Sequence, residues 1–349
     1  MDLLVTIILS SLLAMILFRP VHGLYKRIRL VDTPDWRKVA FNAVPLGGGF
    51  LLMFGLIMAI MLMLLVPGFS LMGPVILLFI ITTLIFVLGT VDDSITVSPT
   101  IKLLVVAALS LVFISFTGFR IMTFHGLFGV YELDYFVSYG LSIIVLVVFV
   151  NMFNLIDGID GLASGIGVVT LVFLVATFEM VSLKQWSLLG GSVMGVLLVL
   201  FVNNHQEHKM YLGDGGALVL GFILGAFVLF ILSQAEPVFD NVDYVPHGPV
   251  FMLTLFWYPL LDLLRVFVLR LVAGGSPFRA DRRHFHHLLV DRGFSHLLAS
   301  TIISLLTFAL IFLALFLASF LRVNELFFVM LVLTLLVSYM VFVLPSKRV

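Results

Sequence analysis

Five aspartates fall where long apolar runs of this 349-residue chain break: Asp92, Asp93, Asp157, Asp160 and Asp214. Carboxylates at a bilayer boundary are costly, and their recurrence at the ends of apolar helices points to an ion, phosphate or proton site. The GTVDDS segment sets Asp92 beside Asp93, and two adjacent acids repel unless a cation or shared proton relieves them. Lys102, nine residues beyond Asp93, can supply that charge. In NMFNLIDGIDG, Asp157 and Asp160 are three apart, with Asn154 a further three before. A helical turn there would place all three oxygen-bearing side chains on one stripe, suited to a hard cation such as magnesium or to a phosphate held through it. Asp214 sits between glycines at the start of a span, where it caps the helix or binds a metal that neutralises a phosphate. The bland alternatives are solvated acids at 92–93, a helix capped by Asp160, and simple capping by Asp214.

A second cluster, GGSPFRADRRHFHHLLVDRGFSH, gathers Arg279, Arg282, Arg283, His284, His286 and His287. Imidazoles beside arginines suit phosphate or pyrophosphate. His-x-His-His without cysteine or i, i+4 partners does not favour zinc. A basic segment resting on anionic lipid is the alternative.

The elements that position these groups are membrane helices. With 62% hydrophobic residues, 11% charged residues and a mean hydropathy of +1.24, the chain lies outside the range of soluble domains. Apolar runs long enough to span recur at about 1–18, 46–66, 74–90, 101–118, 136–154, 161–180, 187–203, 215–233, 248–271, 297–320 and 324–345. The expectation is an all-α, polytopic integral membrane protein of about eleven transmembrane helices in one catalytic domain, residues 1–349. Sixteen of the 19 Lys and Arg residues, all but Arg120, Lys184 and Arg322, fall on one side if the N-terminus is outside and the C-terminus cytosolic. That topology puts all five aspartates on the cytosolic side, in loops at about 91–100, 154–161 and 204–215, with two further cytosolic active-site loops expected at about 19–45 and 272–296. The first run, MDLLVTIILS, has no basic leader or cleavage pattern and reads as a retained helix. The zero net charge gives no argument for nucleic acid, and the absence of cysteine excludes disulfides and thiolate metal sites. A basic loop and carboxylates on one face suggest chemistry on a phosphorylated cytosolic donor with a lipid acceptor.

These segments, in order, resemble the polyprenyl-phosphate N-acetylhexosamine-1-phosphate transferases, glycosyltransferase family 4. The matching pieces are VDTPDWRK…PLGGG, the Asp92–Asp93 pair, NLIDGIDGLASG, Asn204 through LGDGG, Pro259 and Asp262 in WYPLLD, and SPFRADRRHFHHLL. The last is similar to the bacterial undecaprenyl-phosphate GlcNAc-1-phosphate transferase branch. Ala217, Ala40, Val106 and Thr96 depart from residues usual in the family, none of them a presumed metal ligand.

The resemblance implies transfer of GlcNAc-1-phosphate from UDP-GlcNAc to undecaprenyl phosphate, giving undecaprenyl-diphosphate-GlcNAc and UMP. The resemblance also implies a requirement for Mg2+, with Mn2+ as substitute. By motif position it implies Asp214 and Asn154 as metal ligands, Lys102 on the diphosphate, and Asp92 and Asp93 organising the lipid phosphate. His284, His286, His287 and Arg282 would hold the donor, Asn204 and Asp160 would shape the nucleotide pocket, and Asp157 joins the catalytic acids. It further implies a bacterial inner-membrane location and the first membrane step of an envelope polysaccharide of the O-antigen, enterobacterial-common-antigen or teichoic-acid type. Another UDP-N-acetylhexosamine remains an alternative donor, and a homodimer is left open. The rival from another class is a proton- or ion-coupled transporter, which would place acids near the midplane on broken helices; Asp262 is the one acid well inside an apolar run. CDP-alcohol phosphotransferases are disfavoured because LASG follows the second DG.

Overall fold

The computed structural model describes residues 2–32, 43–65, 71–206, 208–233, 248–272, 274 and 284–343. Its chain is almost wholly helical: α1 (Leu3–Arg27), α2 (Gly48–Leu64), α3 (Gly73–Ile95), α4 (Pro99–Thr117), α5 (Tyr135–Ile156), α6 (Leu162–Met180) and α7 (Lys184–Asn203). There follow α8 (Gly213–Ser233), α9 (Gly248–Leu255), α10 (Trp257–Val272), α11 (Phe285–Asp291), α12 (His296–Ala318) and α13 (Val323–Val343). Among the described residues nine helices are long and apolar enough to cross a membrane, or ten if α9 and α10 form one span; α2 is a shorter apolar helix of 17 residues. Each of the eleven expected runs therefore has its helix.

Two runs differ from expectation. The first helix continues to Arg27, well past residue 18, carrying Pro20 inside it. The run at 248–271 is bent by 74° between Leu255 and Trp257.

Hydrophobic periodicity says little here because lipid and core are both apolar, so packing is decided by small residues. The most hydrophobic window of α8 is 100% buried, whereas that of α13 is only 11% buried. Thus α8 is the hub, packed by α2, α3, α5, α6 and α9, and α13 faces lipid. Glycines set how closely α8 is approached. A Cβ on Gly49 would lie 2.5 Å from Gly216 N, and one on Gly89 would lie 2.5 Å from Gly215 N and Cα. Backbone contact of this kind drives helix association in lipid, where apolar side chains gain nothing by leaving the bilayer.

The PLGGG segment has a second use. A two-residue antiparallel pair, β1 (Val31–Asp32) with β2 (Val44–Pro45), leads into it. The Pro45 carbonyl accepts from Tyr211 N at 2.9 Å, Gly48 N donates to Tyr211 O at 2.9 Å, and Gly49 N donates to Leu212 O at 3.1 Å. The chain entering α2 is thereby laced to the chain entering α8, directly before Asp214.

Candidate active site

The ends of α3, α4, α5 and α8 converge on the acids. Asp92, in the last turn of α3, accepts from Val97 N at 2.5 Å and pairs with the Lys102 ammonium. Lys102, from the first turn of α4, also donates to Asp214 Oδ2 at 2.7 Å, bridging two helices whose acids lie far apart in sequence. The expected relief of the acid pair by Lys102 is present in the geometry, and it extends to a third carboxylate.

Asp93 does something the sequence did not reveal. Its oxygens accept from the backbone N–H of Asp214 (3.0 Å) and of Gly215 (3.3 Å). The first turn of α8 is thus capped by an acid from α3, which satisfies amide groups that helices leave orphaned at their N-termini. Gly213 makes this approach possible: it has φ +67°, and a Cβ there would sit 2.9 Å from Asp93 Oδ2.

The NLIDGIDG turn is not helical as the shared-stripe reading required. Helix α5 ends at Ile156 with Asp157 as its C-cap, and α6 starts at Leu162 after Gly161 at φ +78°. Asn154 remains one turn before Asp157 on α5, but Asp160 departs to other partners. Asp157 is half-buried and makes no ion pair among the described residues. Burial, then the charges of Asp214, Asp93, Asp160 and Asp32, push its carboxyl well above the usual carboxylate range. Asp160 does not cap α6, whose N-cap is Gly161.

Asp160 instead pairs with Lys209, accepts from the Tyr211 hydroxyl at 2.8 Å, and lies 3.3 Å from His296 Nδ1. Burial alone would raise its pKa, but hydrogen bonds from His296 and Lys209 outweigh it and hold the carboxyl down at about 2. Burial and Asp160 raise the Tyr211 phenol, which stays protonated as a donor. These groups, with His205, Ser295 and Leu297, line a cavity of about 300 Å³. Asn204 is buried behind it, its Oδ1 accepting from Met210 N at 3.1 Å and closing the loop that presents Lys209. Lys209, Tyr211 and His296 escaped the sequence reading. Their polar positions beside LGDGG and after the histidine motif, in HKMY and GFSH, were the available signal.

The histidines approach the same turn from its other side. His286 is fully buried, and a Cβ on Gly158 would lie 2.8 Å from its Nε2 and 3.5 Å from His287 Nε2. His284 stacks on His286 with ring centroids 5.6 Å apart. Burial, then His287 and His284, push His286 well below the usual imidazole range, so it is neutral. Arg279, Arg282 and Arg283 lie outside the described residues, as do Arg37, Lys38 and Ala40 of the entry segment.

Asp262 is buried inside α10. Both its oxygens are engaged: Oδ2 by His284 Nδ1 at 2.9 Å, Oδ1 by Phe285 N at 2.8 Å, with Arg265 at 3.5 Å. The bent span therefore receives the histidine segment, which supplies the partners a buried acid requires. The other five acids gather at helix ends, unlike the midplane relay of the transporter alternative.

The arrangement can be asked whether it fits a divalent cation. Among the described residues the Lys102 ammonium pairs with Asp92 and Asp214, and Asp93 turns its oxygens to backbone amides, an oxygen-rich surrounding suited to a hard cation. Among the described residues, no three His, Asp or Glu side chains converge on one cation-sized point. Mg2+ commonly takes one or two carboxylates and completes its shell with water and substrate phosphate, so its binding does not need three converging protein ligands.

Comparison with known proteins identifies the family. Residues 75–232 match the family model Glycosyl transferase family 4. The chain is 31% identical over 288 residues to an undecaprenyl-phosphate alpha-N-acetylglucosaminyl 1-phosphate transferase of Yersinia pestis, covering 80% of this chain and 74% of that one. The protein of the same name from Escherichia coli (strain K12) is 29% identical over the same shares. A probable undecaprenyl-phosphate N-acetylglucosaminyl 1-phosphate transferase of Bacillus subtilis (strain 168) is 28% identical over 87% of this chain and 82% of its own length. With residues 75–232 matching the family model and 31% identity to the Yersinia pestis protein over 80% of this chain, the chain belongs to glycosyl transferase family 4.

Proposed function

We propose that the protein transfers GlcNAc-1-phosphate from UDP-GlcNAc to undecaprenyl phosphate, releasing UMP and leaving undecaprenyl-diphosphate-GlcNAc in the bilayer. The reaction takes place at the cytosolic face of a bacterial inner membrane, with the N-terminus outside and the C-terminus in the cytosol. It is an initiating step of envelope polysaccharide synthesis. The observation that carries this reading is Lys102 bridging Asp92 and Asp214.

The acceptor phosphate is a monoester with a second pKa of about 6, so it is largely a dianion at neutral pH and needs little help from a base. Its oxygen attacks the β-phosphorus of the donor; a new P–O bond forms as the bond to UMP breaks. Catalysis then consists of alignment and charge compensation, as is usual in phosphoryl transfer. Lys102, held by Asp92, offers its ammonium to the phosphate oxygens. Asp93 holds the first turn of α8 and so sets where Asp214 stands. His284, His287 and Arg282 receive the donor, and the cavity containing Asp160 takes its nucleotide portion. Asp214 and Asn154 would hold Mg2+, or Mn2+ in its place, which when bound neutralises charge on the diphosphate.

The test is UMP release by purified protein given undecaprenyl phosphate, Mg2+ and a panel of UDP-sugars. Release with UDP-GlcNAc is expected; release only with another UDP-N-acetylhexosamine would move the donor assignment. No release with any donor would overturn the reaction, and ion flux in proteoliposomes without UMP release would turn it into transport.

A further inference from the structure

Asp262 and Tyr258 are four apart on α10 and so share one face of the turn that follows the 74° bend. Both side chains are buried, and both reach the histidine segment. Asp262 holds His284 Nδ1 at 2.9 Å and Phe285 N, the first amide of α11, at 2.8 Å. The Tyr258 hydroxyl lies 3.0 Å from His286 Nδ1. The opposite nitrogen, His286 Nε2, is buried without a hydrogen-bond partner and rests on Gly158, between Asp157 and Asp160. A neutral imidazole that accepts at Nδ1 from a hydroxyl carries its proton on Nε2. An acid buried in an apolar span is costly, and Asp262 meets that cost with the histidine segment and with Arg265 at 3.5 Å.

We propose that Asp262 and Tyr258 are positioning residues of the transfer site. Asp262 anchors His284 and the start of α11, while Tyr258 fixes the tautomer and ring plane of His286 on the Gly158 turn. Together they present the histidine motif to the donor without touching it themselves. The inference rests on the reading above, in which the histidines hold the nucleotide sugar.

Two measurements test it. In steady-state assays, Asp262→Ala and Tyr258→Phe should each raise KM for UDP-GlcNAc by about 10-fold to 100-fold, the usual effect of losing a group that orients a ligand-binding side chain. KM for undecaprenyl phosphate should change less than about twofold under the same principle, and Asp262→Glu should recover part of the loss. General damage to the fold would move both constants together, and that result, or an unchanged donor KM, overturns the inference. Independently of turnover, hydrogen exchange in the full-length protein should accelerate at Phe285–Leu289 in Asp262→Ala while the amides of α8 keep their wild-type rates. Unchanged exchange at α11 refutes the anchoring whether or not the wild-type chain releases UMP, whereas absence of UMP release from wild type refutes only the assigned reaction. Tyr258→Phe, which removes one oxygen from a buried ring, supplies the kinetic answer should Asp262→Ala not fold.

Discussion

Gly89 lies one turn before Asp92 on α3, where that helix crosses α8, and Gly89→Ala probes how tightly the acid cluster depends on this crossing. The added Cβ would stand 2.5 Å from Gly215 N and Cα and 2.7 Å from the Asp214 carbonyl carbon. Those are backbone atoms, so no side chain can rotate away. Ordinary contact begins near 3.4 Å, and α3 and α8 must therefore separate locally by about 1 Å. The same movement stretches the Asp93 bond to Asp214 N from 3.0 Å to beyond hydrogen-bonding distance. Overpacking of this kind costs about 1–3 kcal/mol. A misplacement of about 1 Å in a phosphoryl-transfer site costs about 100-fold in rate. Thermal unfolding in detergent and UMP release should therefore diverge, with a folded protein showing a small loss of stability and a large loss of kcat/KM. Gly140→Ala on α5, where a Cβ meets nothing within 4 Å, is the control and should leave both unchanged. If Gly89→Ala keeps kcat/KM within about threefold of wild type, the crossing does not set the site geometry and the reasoning from P–O alignment fails.

Other variants separate the roles of the acids. Asp214→Asn should abolish UMP release and also the rise in melting temperature on adding Mg2+, whereas Asp92→Asn and Asp93→Asn should leave donor binding measurable by calorimetry. Lys102→Met leaves Asp92 and Asp214 facing each other without a cation and should lower stability by about 3 kcal/mol. Adding Asp92→Asn to that variant should restore stability in thermal melts but not turnover. Asp160, with its pKa depressed to about 2 from an ordinary value near 4, stabilises the fold above pH 4 and loses that contribution as pH falls toward 2. The contribution is about 2 kcal/mol, so acid unfolding of wild type should show a stability decline through this window that Asp160→Asn lacks. Gly158→Ala should displace His286 and raise KM for the donor more than KM for the lipid in steady-state assays.

Much of the site was legible because the membrane makes polar residues conspicuous. Asp92, Lys102, Asp157 and Asp214 stand out against apolar sequence, and the charge distribution gathers them before any coordinates are considered. The pairing of Lys102 with the acids followed from their nearness in sequence and from the repulsion they would otherwise suffer. The separation of Asp160 from Asp157 was hidden because a three-residue spacing means a shared face only if the turn is helical, and here one helix ends at Ile156 and the next starts at Leu162 after Gly161 at φ +78°. Asp160 then found Lys209, Tyr211 and His296, residues no local pattern connects to it.

Length, composition and basic-residue asymmetry belong to the sequence alone: an all-helical membrane chain, its spans, and acids and histidines at their ends. Tertiary structure decided which of those groups meet. Lys102 reaches an acid 112 residues away, Asp93 caps a helix 121 residues on, and His286 settles on Gly158. Apolar periodicity carries no information about such partners, because a helix can turn any apolar face toward lipid or toward a neighbour at similar cost. The choice is made by glycines that let backbones touch and by buried polar groups that must find each other, and both are properties of the packed bundle.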